Sequence, residues 1–177
     1  MDPRLHYLQG KTELVTSAEL LAFISAFYRD KLTVRNRHVA AARFIGDYNV
    51  NNTYQYIVNR DDMHVRWLQD AITDLAGTPE EQALPDLKPE GKKDAIMRSM
   101  ITADRDAAVK FVERWTSKVD ALPNARHRSL LRVILGETLE QQRFFDQALA
   151  GREDLLGRRA DGAGTGDGVM RDRWVGN

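Results

Sequence analysis

Four stretches of this chain place apolar residues three and four positions apart, the spacing of one face of an α-helix, and each carries ionisable residues in the middle of that face. The first stripe is Leu20, Ile24, Phe27, Lys31, Val34, His38, Ala41, Ile45; the second is Val50, Tyr54, Ile57, Asp61, His64, Leu68, Ile72, Leu75. The third is Met97, Met100, Asp104, Ala107, Phe111, Trp115, Val119, Leu122; the fourth is Leu130, Ile134, Glu137, Gln141, Phe144, Ala148. Charged side chains are almost never buried without a partner or a metal. Lys31, Asp61, His64, Asp104 and Glu137, with Glu140 one turn further on, are therefore expected to converge in a polar site inside a helical bundle.

The punctuation between the stripes sets the topology. Ser17 is the expected N-cap of the first helix, Gly46-Asp47 a short turn, Gly77 a C-cap, and Pro123-Asn124 the last turn. Between Gly77 and about Lys92 the three prolines Pro79, Pro85 and Pro89 exclude a continuous helix. Helices one and two, and three and four, are thus tight antiparallel hairpins. A helix of about 26 residues is roughly 39 Å long, and a stretched linker of about 16 residues covers roughly 50 Å. The linker is long enough to cross the whole bundle and start helix three at the opposite end; an ordinary up-down bundle with a loose middle loop is the alternative. The chain divides into an N-terminal arm (1–16), an all-α four-helix bundle (17–150) and a C-terminal tail (151–177) expected to be flexible. That tail holds seven of the twelve glycines, and its Val169, Met170, Trp174 and Val175 are suited to pinning it to the bundle or to a second subunit.

Composition narrows the classes. With 177 residues the chain suits one domain with a real core. Twenty-six basic residues balance 26 acidic ones, so no net field draws it to nucleic acid or to an anionic membrane. No cysteine is present, which excludes disulfides, thiolate zinc sites and thiol catalysis. No apolar run approaches the roughly 18 residues of a membrane span, and the polar start, Met-Asp-Pro-Arg-Leu-His, has no signal-peptide core. The expectation is a cytoplasmic protein. No nucleophile elbow, phosphate loop or His-Glu-x-x-His motif occurs.

Asp61-Asp62-Met63-His64 has the carboxylate-x-x-His spacing of di-iron bundles, in which residues i and i+3 reach one ion. Asp104 stands alone on helix three, and Glu137-Thr138-Leu139-Glu140 repeats the i, i+3 spacing with glutamate in the histidine position. With these motifs, and with Arg35-Asn36-Arg37 on helix one, the chain resembles the ferritin-like superfamily, closest to its rubrerythrin and bacterial ferritin-like branches, over about residues 17–150. The resemblance implies a ferritin-like four-helix bundle with a long crossover, association in homodimers, and iron or manganese held by Asp61, His64, Asp104, Glu137 and Glu140. Lys31 departs from it, since fully active members carry glutamate there. A lysine ammonium has no lone pair to give a metal and repels a neighbouring ion. The four carboxylates bring about −4 and Lys31 +1, so one metal ion, or none, is easier to accommodate than two.

Three functional expectations follow: a ferritin-like protein with a degenerate centre holding one metal or none; an iron- or manganese-dependent oxidase or peroxide-handling enzyme with Lys31 as a proton donor beside the metal; and a structural or partner-binding bundle whose polar core fixes helix register. The sequence names no substrate. Milder assignments stand beside these. Asp61 has Arg60 and Arg66 as candidate surface partners, Glu137 and Glu140 have Arg143 and Lys118, His38 is expected as a satisfied core histidine, and Tyr54 as a hydrogen-bonding neighbour of the site.

Overall fold

The computed structural model describes residues 16–152 and 155–156. Of the expected arm only Thr16 falls within that range, and the tail beyond residue 156 lies outside it. The described residues form four α-helices and no strand: α1 (Ser17–Ala42), α2 (Tyr48–Asp74), α3 (Lys93–Asp120) and α4 (Ala125–Leu149).

Local chemistry explains where the helices begin. Thr16, one residue before the expected cap, closes a capping box: its hydroxyl accepts from the Glu19 N–H, and the Glu19 carboxylate accepts from the Thr16 N–H at 2.9 Å. Asp47 and Asn124 cap α2 and α4 in the same sense, by accepting from the N–H of Val50 and of His127.

Side-chain pairs give each helix its direction. Arg35 meets Asp62, and Tyr28 meets Gln69, so α1 and α2 are antiparallel. Arg132 with Asp120 and Arg105 with Asp146 make α3 and α4 antiparallel. Arg37 with Asp104 and Asp30 with Trp115 set α3 antiparallel to α1, and Tyr56 with Phe144 and Arg60 with Glu137 set α4 antiparallel to α2. Consequently α2 and α3 point the same way. The connection between them runs along α1: Tyr28 donates its hydroxyl to the Glu80 carbonyl at 2.8 Å, and Asn36 donates its amide to the Gln82 carbonyl at 3.0 Å. It then delivers α3 beside Arg43 and Gly46 at the far end. The bundle interior holds two apolar clusters. One contains Leu20, Phe27, Leu68, Trp115 and Leu131; the other contains Ile45, Tyr54, Ile57, Met100 and Phe145.

The end of α2 differs from the expected glycine cap. The Gly77 N–H donates to the Ile72 carbonyl and the Ala76 N–H to the Thr73 carbonyl, both at 2.9 Å. This is a Schellman motif, and the left-handed residue in it is Ala76, with φ 60°. Gly77 is required for a different reason. A Cβ there would stand 2.5 Å from Leu21 Cδ1, 2.9 Å from Ile72 Cγ2 and 3.2 Å from the Ile72 carbonyl oxygen. Gly77→Ala is expected to lose about 1–3 kcal/mol from this overpacking, whereas Ala76→Gly is expected to gain about 1 kcal/mol by relieving the left-handed conformation. Urea denaturation of the two variants checks both signs.

Candidate functional site

Asp61 is the hub of the interior. It is wholly buried on α2, and its two carboxylate oxygens meet three donors. Lys31 Nζ lies 2.7 Å from Oδ1. The Gln141 amide donates to the same oxygen at 2.8 Å, and His38 Nδ1 donates to Oδ2 at 2.7 Å. Lys31 and His38 stand two turns apart on α1, so both point into the bundle from one face. Lys31, with no exposed surface, also donates to the Thr138 hydroxyl at 3.1 Å. That hydroxyl in turn donates to the Ile134 carbonyl at 2.8 Å. The ammonium also stands 5.6 Å from the centre of the Phe111 ring.

The network continues outward. His64 lies one turn beyond Asp61, its Nδ1 3.8 Å from Asp61 Oδ1 and its Nε2 2.8 Å from Glu137 Oε2. Glu137 is part-exposed and forms a two-pronged ion pair with Arg60. Asp104 belongs to a neighbouring group. Tyr54 donates its hydroxyl to Asp104 Oδ2 at 2.6 Å, and Arg37 Nε lies 2.6 Å from Oδ1. Rings stand between the two groups: His38 packs edge-on against Tyr54, and both lean on Phe145.

The residues proposed from sequence are thus partly brought together. Lys31, Asp61, His64 and Glu137 form one chain of contacts, Asp104 stands beside it with its own partners, and Glu140 is exposed on α4. Arg60 pairs with Glu137 rather than with Asp61. Four members carry less signal in the sequence. Gln141 lies in the apolar stripe, His38 reads as an ordinary core histidine, Thr138 is one position out of the expected phase, and Arg37 stands among charged neighbours.

Electrostatics follow from burial and pairing. Burial alone would push the Asp61 carboxyl up; the Lys31 ammonium and the His38 hydrogen bond outweigh it and hold Asp61 well below the usual carboxylate range. Burial likewise opposes ionisation of Glu137, but its bonds to Arg60 and His64 keep its value low. His64 is pushed down from its ordinary 6.5, first by burial and then by Lys31, against the pull of Asp61 and Glu137. A neutral His64 donates Nε2–H to Glu137 and leaves Nδ1 a buried lone pair without a partner among the described residues. Burial and the Asp104 charge push the Tyr54 phenol far up, so it stays protonated and donates.

The donor set does not fit a carboxylate-bridged metal centre. Each of the six oxygens of Asp61, Asp104 and Glu137 already faces a basic group or a hydrogen-bond donor. Among the described residues no group of three or more His, Asp or Glu side chains is arranged to hold an ion. The arrangement is an internal ion-pair network, and no helix among the described residues is long and apolar enough to cross a membrane. No family model, curated protein or solved structure matches the chain.

Removing one partner of a buried ion pair leaves the other uncompensated, at a cost of about 3–5 kcal/mol. Lys31→Met is expected to lose that much in urea denaturation, and Lys31→Met with Asp61→Asn to recover most of it. The pH dependence has a definite sign. Asp61, Glu137 and His64 all bind protons less readily folded than unfolded, so stability is complete above the unfolded histidine value of 6.5 and falls as pH drops below it. A pH series of urea midpoints should be flat between about 6.5 and 9 and decline steadily toward pH 4.

Proposed function

We propose that this chain is a ferritin-like bundle whose centre has been converted from a metal site into a self-neutralised polar core, and that it works as a helical scaffold without redox chemistry. The observation that carries this reading is the pairing of charges. Asp61 has Lys31, Asp104 has Arg37 and Glu137 has Arg60, each within ion-pair distance. A divalent ion is held by carboxylates whose charge is not otherwise cancelled; here every inward carboxylate has its own cation. Lys31 stands where ferritin-like metal bundles place a glutamate, and its ammonium takes up the charge an ion would neutralise.

Two features support the ferritin-like part. Helices two and three run in one direction with a long connection between them, the arrangement of bundles with a single crossover. The inward residues of α2 keep the carboxylate-x-x-His spacing of that class, with Asp61 and His64 both fully buried. The network also serves a scaffold directly. A polar layer that is satisfied in only one helix register penalises slipped or rotated packings.

Expression in medium rich in iron and manganese, followed by elemental analysis of the purified chain, tests the proposal. The expected content is well below one ion per chain, with no acceleration of oxygen consumption on adding Fe(II). One or more tightly held ions per chain would overturn it.

A further inference from the structure

The side of the bundle between α2 and α4 is its loosest seam. Along α2, Tyr56, Arg60, Met63, Trp67, Asp70 and Asp74 follow helical spacing on one face; along α4, Phe144, Glu140, Glu137, Val133 and Leu130 oppose them in antiparallel order. Tyr56 and Phe144 meet edge-on at one end of the seam, and Arg60 pairs with Glu137 at its middle. At the other end the helices part to leave a cleft of about 400 Å³, floored by Trp67, Leu130 and Val133 and rimmed by Asp70 and Asp74. Val133 keeps 48% of its surface exposed, as an apolar residue awaiting cover would. Arg126 reaches Asp74 at 3.9 Å, while no cation pairs with Asp70 among the described residues.

The described chain ends at the opposite end of this same seam. Leu155 is buried, and with Leu156 it lies against Tyr56, Glu140 and Phe144. Trp174 follows Leu156 by 18 residues, and the intervening stretch includes Gly157, Gly162, Gly164, Gly166 and Gly168. Eighteen residues of chain can span up to roughly 60 Å. The path along α4 from Phe144 back to Leu130 is roughly 21 Å at 1.5 Å per residue. The chain beyond Leu156 is therefore long enough to reach that end of the seam.

We propose that residues 169–175 of the same chain occupy this cleft, with the Trp174 indole on Trp67, Leu130 and Val133. The chemistry is complementary at each point. Trp174 and Val175 supply apolar surface for the cleft floor, and an aromatic pair with Trp67 adds to area burial alone. Arg171 and Arg173 bring positive charge to a rim that carries Asp70 and Asp74. Asp172 has Arg126 as its counterpart. Seated there, the segment would cover the apolar floor formed by Trp67, Leu130 and Val133, independently of what the buried network does.

The full chain labelled with 5-fluorotryptophan gives one fluorine resonance for each of Trp67, Trp115 and Trp174, assigned by single Trp→Phe replacements. The expected result is a Trp174 resonance shielded from solvent, with little shift between H2O and D2O. Val133→Asp should move it to the free-indole position while leaving Trp115 in place. Asp70→Lys, at an exposed position, should move it part of the way, so the test does not rest on one variant. A Trp174 resonance that is solvent-exposed from the start, or indifferent to both substitutions, overturns the proposal. Movement of the resonance on dilution would mean that the cleft takes the segment of a second copy, and overturns the intrachain assignment.

Discussion

The buried pair of Lys31 and Asp61 is the constraint around which the bundle is organised. It lies between the two apolar clusters, one built on Phe27, Leu68 and Trp115 and the other on Tyr54, Ile57 and Phe145. Taking two charges out of water costs more than their attraction returns unless the remaining donors and lone pairs are satisfied. The structure meets that condition with particular neighbours. The Thr138 hydroxyl accepts a hydrogen bond from the ammonium, while Gln141 and His38 donate to the carboxylate. A one-residue rotation of α1 or α2 is about 100° and would carry Lys31 or Asp61 away from this set. A slipped packing would therefore leave both charges buried without these partners.

Much of this was legible in the sequence, because an ionisable group inside an apolar stripe has few options. The stripes of α1, α2 and α3 place Lys31, Asp61, His64 and Asp104 where the structure has them, fully buried. The fourth stripe was less determinate for a physical reason. Its apolar residues come in adjacent doublets, Leu130-Leu131, Ile134-Leu135 and Phe144-Phe145, and a doublet satisfies two helical phases equally well. Packing selects Leu131, Ile134, Leu135, Thr138, Gln141 and Phe145. Glu137 consequently moves to the boundary, where Arg60 finds it, and Glu140 moves to the surface. The partners of buried charges were the least legible part. Nothing local in the sequence says that Arg37 and Tyr54 share Asp104, since one comes from α1 and the other from α2.

Glu137 joins the interior to the surface. Its carboxylate accepts from His64 inside and pairs with Arg60 outside. This residue sits midway along the seam between α2 and α4, with Tyr56 and Phe144 on one side and the Trp67 cleft on the other. The network thus reaches the groove, and a segment or partner lying along the groove would cover the part-exposed pair of Arg60 and Glu137. Covering it would strengthen the pair, because excluding water lowers the local dielectric.

The distribution of charges between the two hairpins shows how they are tied together. All three cations, Lys31, Arg37 and Arg60, belong to the first hairpin, whereas two of the three anions, Asp104 and Glu137, belong to the second. In a bundle built around a metal, the ion ties the hairpins together by taking ligands from all four helices. Here the tie is made by side chains: Arg37 to Asp104 links α1 to α3, Arg60 to Glu137 links α2 to α4, and Lys31 to Thr138 with Gln141 to Asp61 cross-links α4 to the hub. With cross-links of this kind between every helix of one hairpin and a helix of the other, an ion would have no structural role left, and Lys31 would be the residue whose charge makes that arrangement neutral.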